Sequence, residues 1–357
     1  MRIALIVYGS LDQISGGYRY DRELVATLRR ARDEVAVISL RQRPYQLAAG
    51  ASIVSGIATR LAAAQPDLIV QDELCHPSLA WANAAIRRIG VPIVSIVHHL
   101  RASEGQVGWQ GRLTIHLERR YLASIDGLIL NSRATGDSVR ALLGRLAQNV
   151  VAYPGRDDEA ASRPYVHRKN GPLRLVLVGN VEPRKNVETL LDALARLSPS
   201  TWRLTIVGNL RSDPAYARAI GTRAAALGMS GSIELTGPLS NPALRSRLAR
   251  SDVLVQPSWY EGFGMAALEG MRFGLPAIVS RRGGASELVE DGVSGFVVDP
   301  ADPIGIAERI EAMMNDERRE TMSEAAADRY NRHPTWTDSM VAARSFLTAL
   351  ASKGRRA

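Results

Sequence analysis

Lysine and cysteine are the scarce residues of this chain. Lysine occurs only at positions 169, 185 and 353, and cysteine once, at 75. A single cysteine excludes an internal disulfide and fits a reducing cytoplasm. No apolar run approaches the roughly 18 residues that a membrane span requires. The opening MRIALIVYGS has one arginine, a short apolar run and then a polar loop, which reads as a first strand and not as a signal peptide. Aromatic residues make up 5% of the sequence. No basic run is interleaved with them as a base-stacking platform would need, so nucleic acid is not expected as a partner.

What is present is a chain of 357 residues, 46% hydrophobic and 23% charged. That is the composition of a soluble globular protein and the length of two domains. The net charge of +9 is carried almost wholly by arginine, which fits phosphorylated small molecules or an anionic membrane surface. Short runs rich in Val and Ile alternate with longer stretches of helical period. Arg2–Tyr8, Glu34–Leu40, Leu68–Gln71, Pro92–His98 and Gly127–Asn131 read as strands of a first series. Leu173–Val178, Arg203–Val207, Ser232–Leu235, Val253–Gln256, Ala277–Ser280 and Gly295–Val298 form a second. Such alternation predicts an α/β protein built of βαβ units around buried parallel sheets. Between the series, NVVAYPGRDD closes a strand on Pro-Gly, and the aperiodic EAASRPYVHRKNGP after it reads as a linker.

In open α/β sheets ligands bind beyond the carboxyl ends of the strands, and the unusual residues fall there. Ile14-Ser15-Gly16-Gly17 follows the first strand. Its paired glycines either let backbone amides approach a phosphate or simply make a tight strand-to-helix turn. Gly179-Asn180-Val181-Glu182-Pro183-Arg184-Lys185-Asn186 follows another strand. Arg184 and Lys185 there can clamp a diphosphate, and Asn186 is expected to cap the next helix. In SWYEGFGMAALEG, Glu261 lies on a loop whose Gly262 and Gly264 allow close backbone approach. Phe263 and Met265 lead into a helix that carries Glu269. Two acids beside two cations suit a sugar nucleotide, though a helix N-terminus with one solvated acid would look the same. His98-His99 ends a strand of the first series; a structural and a catalytic role are equally open for the pair. No metal is expected, because the other histidines show no ligand spacing and Cys75 lacks a CxxC partner.

Together these motifs resemble the retaining glycosyltransferases of family 4 (glycosyltransferase group 1), and the match runs nearly end to end. Gly16-Gly17 with Glu23–Leu28 is similar to that family's first glycine loop and helix. His98-His99 stands in the place of its His-Asp or His-His pair, and VAYPGRD resembles its "PNG-D" segment. GNVEPRKN resembles its "GR-PRKN" loop, Glu261 to Glu269 its E-x7-E motif, and Gly283-Gly284 through Gly295 its "GG-E…G" tail. Asn180 stands where many relatives have Arg, and Gly270 where they have Ala.

The resemblance implies a GT-B fold: two Rossmann-like doubly wound parallel-sheet domains with the donor site in the cleft between them. Residues 1–160 would form the acceptor-side domain, completed by a C-terminal helix at about 336–357, and 170–335 the nucleotide-sugar domain. It implies metal-independent, retaining transfer of a hexosyl group from a UDP- or GDP-sugar to an acceptor hydroxyl. Arg184 and Lys185 would hold the diphosphate, Glu269 the ribose, and Glu261 and His98 the sugar. Gly16, Gly17, Gly179, Gly262, Phe263, Gly264 and Met265 would line the donor. A GT-B epimerase or hydrolase would share the nucleotide site but needs further acids, and a non-catalytic binding module would not turn over. The acceptor, whether small molecule, glycan or lipid-linked sugar, is not legible. The stretch Arg101–Ala123 fits either a helix lying on an anionic membrane or a packed helix with a solvated basic face. The expected location is cytoplasmic, with or without peripheral contact at the inner membrane face.

Overall fold

The structure is a computed structural model that describes residues 1–13, 15–42, 45–48, 54–105, 108–161 and 171–354. Ile14 of the first glycine loop, residues 106–107 of the basic stretch and most of the linker lie outside the described residues. The chain divides into two compact units, Met1–Gly155 with the segment from Pro334 onward, and Arg156–His333.

The first unit contains β1 (Arg2–Tyr8), α1 (Gly16–Arg30), β2 (Glu34–Leu40), α2 (Tyr45–Ala48), α3 (Val54–Ala64) and β3 (Leu68–Asp72). Then follow α4 (His76–Ile86), β4 (Ile93–Val97), α5 (Gly108–Ala123), β5 (Gly127–Leu130), α6 (Arg133–Leu143) and β6 (Gln148–Val151). Its six strands are ordered β2-β1-β3-β4-β5-β6, every pair parallel. The central strands β3, β4 and β5 are buried at every position. Helices cover both their faces, which is why their sequences are apolar runs without alternation.

The second unit contains β7 (Leu173–Val178), α7 (Val187–Leu194), β8 (Trp202–Val207), α8 (Pro214–Ala226), β9 (Ile233–Gly237) and α9 (Asn241–Ala249). It continues with β10 (Val253–Gln256), α10 (Met265–Arg272), β11 (Ala277–Ser280), β12 (Gly295–Val298), α11 (Pro303–Ala312) and α12 (Asp316–Arg332). Its sheet runs β12-β11-β10-β7-β8-β9, again parallel throughout. Its core joins Leu175, Leu177, Leu190, Trp202, Ile206 and Ile310, all at most 1% exposed.

The last helix, α13 (Trp336–Gly354), belongs to the first unit, where it packs against α1. Arg344 on it reaches Asp33 at 2.7 Å, and Asp33 also binds the amino group of Met1 at 2.9 Å. Helix α12 was not anticipated from the sequence. Only one narrow stripe of it, Met322, Ala326, Ala327 and Tyr330, is apolar and buried among charged neighbours.

Both sheets have a place where the strand order reverses. In the first it lies between β1 and β3, in the second between β7 and β10. Loops leaving the carboxyl ends of such neighbours diverge to opposite faces and open a crevice. Those four loops carry most of the residues singled out above.

Candidate active site

In the second unit, β7 is followed by Gly179 with φ 152°, a backbone state that side-chain-bearing residues rarely adopt. A Cβ there would also lie 2.5 Å from Cε of Lys185. Gly179 therefore both turns the chain and leaves the volume that the lysine stem fills. A short 3-10 turn, Pro183–Lys185, carries the two cations. Asn186 holds the N-cap position of α7 as expected, but without the side-chain capping bond. It is left-handed, at φ 54° and ψ 42°, and makes no side-chain bond to the helix amides. Its amide instead donates to the carbonyls of Pro257 and Pro300 at 3.0 and 2.7 Å, tying the β7 loop to the segments that follow β10 and β12. The Trp259 amide donates to the Arg184 carbonyl at 2.9 Å and closes the same junction.

Glu261 is where this junction concentrates charge. Its Oε2 accepts from Lys185 Nζ at 2.8 Å, Gln256 Nε2 at 3.1 Å, Ser258 Oγ at 3.1 Å and Arg184 at 3.4 Å. Arg184 also donates to the Tyr260 carbonyl at 3.1 Å and pairs with Glu182 at 2.8 Å. Burial alone would raise the Glu261 carboxyl, but the charges of Lys185 and then Arg184 override it and hold it at about 2. Burial lowers the Lys185 ammonium below the ordinary lysine value, and the Glu261 charge opposes that. The result is a preformed knot of two cations and one carboxylate at the switch point, with Lys185 only 5% exposed.

Gly262, Phe263 and Gly264 are buried in the loop that follows, and Gly264 is left-handed at φ 97°. Met265 is the first residue of α10, and Glu269 sits half-buried one turn further along. The first amides of a helix have no intrahelical partners and favour an anion. The structure thus brings Arg184, Lys185 and Glu261 into contact and sets Gly262–Met265 and Glu269 on the same loop and helix. Glu261 was expected as a sugar ligand; its geometry gives it the further task of holding both cations. Gln256 and Ser258 escaped sequence reading, and the available signal was their place at the carboxyl end of β10.

In the first unit, Ser15 caps α1 by accepting from the Tyr18 amide at 3.3 Å, so Gly16 and Gly17 supply the first amides of that helix. A Cβ on Gly17 would lie 3.2 Å from Cδ2 of His98, so the small residue lets the histidine ring lie against the helix start. His98 follows β4. Its carbonyl accepts from Asn131 at 2.6 Å, and its ring meets Tyr20 edge-on at 5.4 Å. Nε2 faces Asp21 at 3.5 Å and Asp72 at 3.9 Å, both acids fully buried. Burial disfavours the imidazolium, but Asp21 foremost, then Asp72 and Glu73, raise the His98 pKa to about 9. Burial and the Asp21 charge push the Asp72 carboxyl well above its usual range. Asp21 and Asp72 were missed in the sequence. Asp72 ends β3, and Asp21 interrupts the buried face of α1 between Tyr18 and Leu24, which is the signal that could have found it.

His99 turns the other way and pairs with Glu104 at 2.9 Å. Behind it, Glu118 accepts the amides of Arg101 and Ala102 at 2.7 and 3.0 Å and fixes the loop that leaves the histidines. Ligand atoms of Asp21, Asp72 and His98, and separately of Glu73, His76 and Glu118, lie within 4.8 Å of one another. Among the described residues these two groups are the ones whose donor sets could hold a metal.

Two family models match the chain. The glycosyl transferase 4-like domain covers residues 14–155, and the glycosyl transferases group 1 domain covers residues 158–329. The chain belongs to the family 4 glycosyltransferases. Within curated members of this glycosyltransferase class, the glycogen synthase of Mycobacterium tuberculosis is 32% identical over 265 residues, 71% of this chain and 61% of that protein. The chain thus spans about three fifths of that relative's length. Sucrose-phosphate synthase from Thermosynechococcus elongatus superposes with a TM-score of 0.84 at 20% identity, covering 98% of this chain and 99% of that one. HepE of Anabaena, solved in complex with UDP, superposes with a TM-score of 0.77 at 21% identity, covering 98% of this chain and 100% of HepE. A further structure of HepE holds UDP-glucose. These likenesses identify the fold of the chain as GT-B.

Proposed function

We propose that the protein transfers a hexosyl group from a UDP- or GDP-sugar to an acceptor hydroxyl, with retention of configuration and without a metal. The observation that carries the reading is the knot of Arg184, Lys185 and Glu261 at the switch point of the second sheet. Fixed cations beside a helix N-terminus fit a diphosphate, and Glu269 on the same helix fits the ribose hydroxyls. The UDP and UDP-glucose complexes of HepE support a nucleotide-sugar donor.

In this reading Arg184 and Lys185 neutralise charge on the leaving nucleotide. Because Glu261 fixes them before substrate arrives, little reorganisation is needed as that charge develops. His98, cationic through Asp21, donates to the sugar or its phosphate. The bond from the sugar C1 to the phosphate oxygen breaks while the acceptor oxygen attacks on the same face. The leaving oxygen takes the acceptor proton, giving the glycoside and the nucleoside diphosphate. The fixed charges of Arg184 and Lys185 would do at the diphosphate what a metal otherwise does, and the metal-independent reading rests on that.

The acceptor hydroxyl belongs to a small molecule, a glycan or a lipid-linked sugar. The single cysteine, buried in the first unit, fits action in the cytoplasm. Among the described residues no helix is long and apolar enough to cross a membrane. The test is proton NMR of the products from UDP-glucose and from GDP-mannose, with EDTA present. A new anomeric signal of the donor's configuration is expected from one of them. Inversion, or release of free sugar alone, overturns the proposal.

A further inference from the structure

Helices α4, α5 and α6 of the first unit enclose an open groove of about 770 Å³, away from the strand ends that carry His98. It is lined by Arg87, Arg112, Arg119, Arg120 and Arg145 together with His116. No described lining residue is acidic. The acids nearby are already committed. Glu118 of α5 is buried against the Arg101 and Ala102 amides, Asp126 pairs with Arg87 at 3.0 Å, and Asp137 of α6 pairs with Arg140. Helix α4 carries none. Among the described residues, Arg112, Arg119 and Arg145 make no ion pair or hydrogen bond, so the face holds uncompensated positive charge.

Apolar groups are set among these cations. Trp109 is 60% exposed, Trp81 42% and Ile115 38%. Trp109, Arg112, His116 and Arg119 recur at helical spacing on the outer side of α5, so indole and guanidinium groups share one face. The Arg120 guanidinium lies 3.7 Å from the centre of the Trp81 ring and covers one side of it. A base-stacking platform needs rings open to successive bases, and Arg120 occupies one of the two faces of Trp81. Exposed indoles with an aliphatic residue among arginines instead match the chemistry of a bilayer interface, where rings enter the headgroup layer and cations meet lipid phosphates.

We propose that this face binds the surface of a bilayer rich in anionic phospholipid. It is a docking face distinct from the nucleotide site. The charge complements the lipid phosphates, and the indoles and Ile115 supply the apolar part of the contact. Docking would hold the enzyme where a lipid-borne acceptor would be met.

The test is co-sedimentation of the full chain with phosphatidylcholine vesicles, with and without phosphatidylglycerol. Binding is expected only with phosphatidylglycerol, weakening as salt is raised. Arg112→Ala with Arg119→Ala should weaken it roughly 30-fold, at about 1 kcal/mol per charge removed. Trp109→Ala should weaken it at all salt concentrations. These side chains are exposed, so circular dichroism and the response to UDP or GDP should match the parent chain. Equal binding to both vesicle types, or full binding by the double variant, overturns the proposal. Preferential capture of a single-stranded oligonucleotide over phosphatidylglycerol vesicles also overturns it. Any of these failures leaves the donor reading standing, because nucleotide binding is read separately.

Discussion

At Glu261, four donors meet on one carboxylate oxygen, and two of them are the cations assigned to the leaving nucleotide. Removing Lys185 strips that charge from the reaction, and Lys185→Met, which keeps the volume, should lower kcat on the order of 100-fold while changing donor affinity less. Calorimetric binding beside steady-state rates checks this; an unchanged kcat contradicts the role. Glu269→Ala should weaken nucleotide binding at least about tenfold, for hydrogen bonds to a charged group worth roughly 1.5–3 kcal/mol, with little loss of Tm. Unaltered affinity would remove Glu269 from the site. The Glu261 carboxyl also predicts a pH dependence. Its folded value of about 2 lies below the ordinary glutamate value of 4.5, so its stabilisation is present above about pH 4.5 and fades as pH falls through 2. Urea melts from pH 7 to pH 3 should therefore show the parent chain losing more stability than Glu261→Gln; parallel curves would refute the pairing.

At the scale of elements, the site consists of loops that leave strand ends beside a reversal of strand order. Gly179→Ala should be costly because its Cβ meets the Lys185 stem at 2.5 Å and its φ is 152°. Loss of about 1–3 kcal/mol and displacement of Lys185 are expected, read as a lower Tm and reduced kcat together. A neutral outcome would show that Lys185 can be held otherwise. In the first unit, NMR of the His98 ring should give a midpoint near 9, and Asp21→Asn should move it down toward the ordinary 6.5. An unmoved midpoint would mean that Asp21 does not hold the imidazolium. These elements were legible to different degrees. Arg184, Lys185, Glu261 and Glu269 stood out because charged residues at strand ends and around a glycine turn are unusual. Asp21 and Asp72 did not, since each stands beside other polar or charged residues, Arg22 and Glu23 next to the one and Gln71 and Glu73 next to the other, and only the fold brings them to His98. Asn186 was placed correctly at the start of α7, but its side chain bonds to residues 71 and 114 positions away instead of capping the helix, which local capping rules do not weigh.

At the scale of the whole molecule, the alternation of Val- and Ile-rich runs with helical periods led directly to two parallel sheets, because strands buried on both faces cannot hide their composition. What the alternation could not give was α12, whose buried stripe is too narrow to rise above its charges, or the order of strands in each sheet. That order decides which loops become neighbours. It places the β7 and β10 loops side by side, and from it follows the central claim that the second unit binds a nucleotide diphosphate sugar. The most direct measurement is a thermal-shift panel of the parent chain and Glu269→Ala with UDP, GDP, ADP and NAD, each with magnesium or with EDTA. A ligand at 100 times its Kd stabilises the native state by about 2.7 kcal/mol. The account predicts a shift of the parent chain with UDP or GDP, indifferent to EDTA and much reduced in Glu269→Ala. No shift with either nucleotide, or one that vanishes in EDTA, would contradict it.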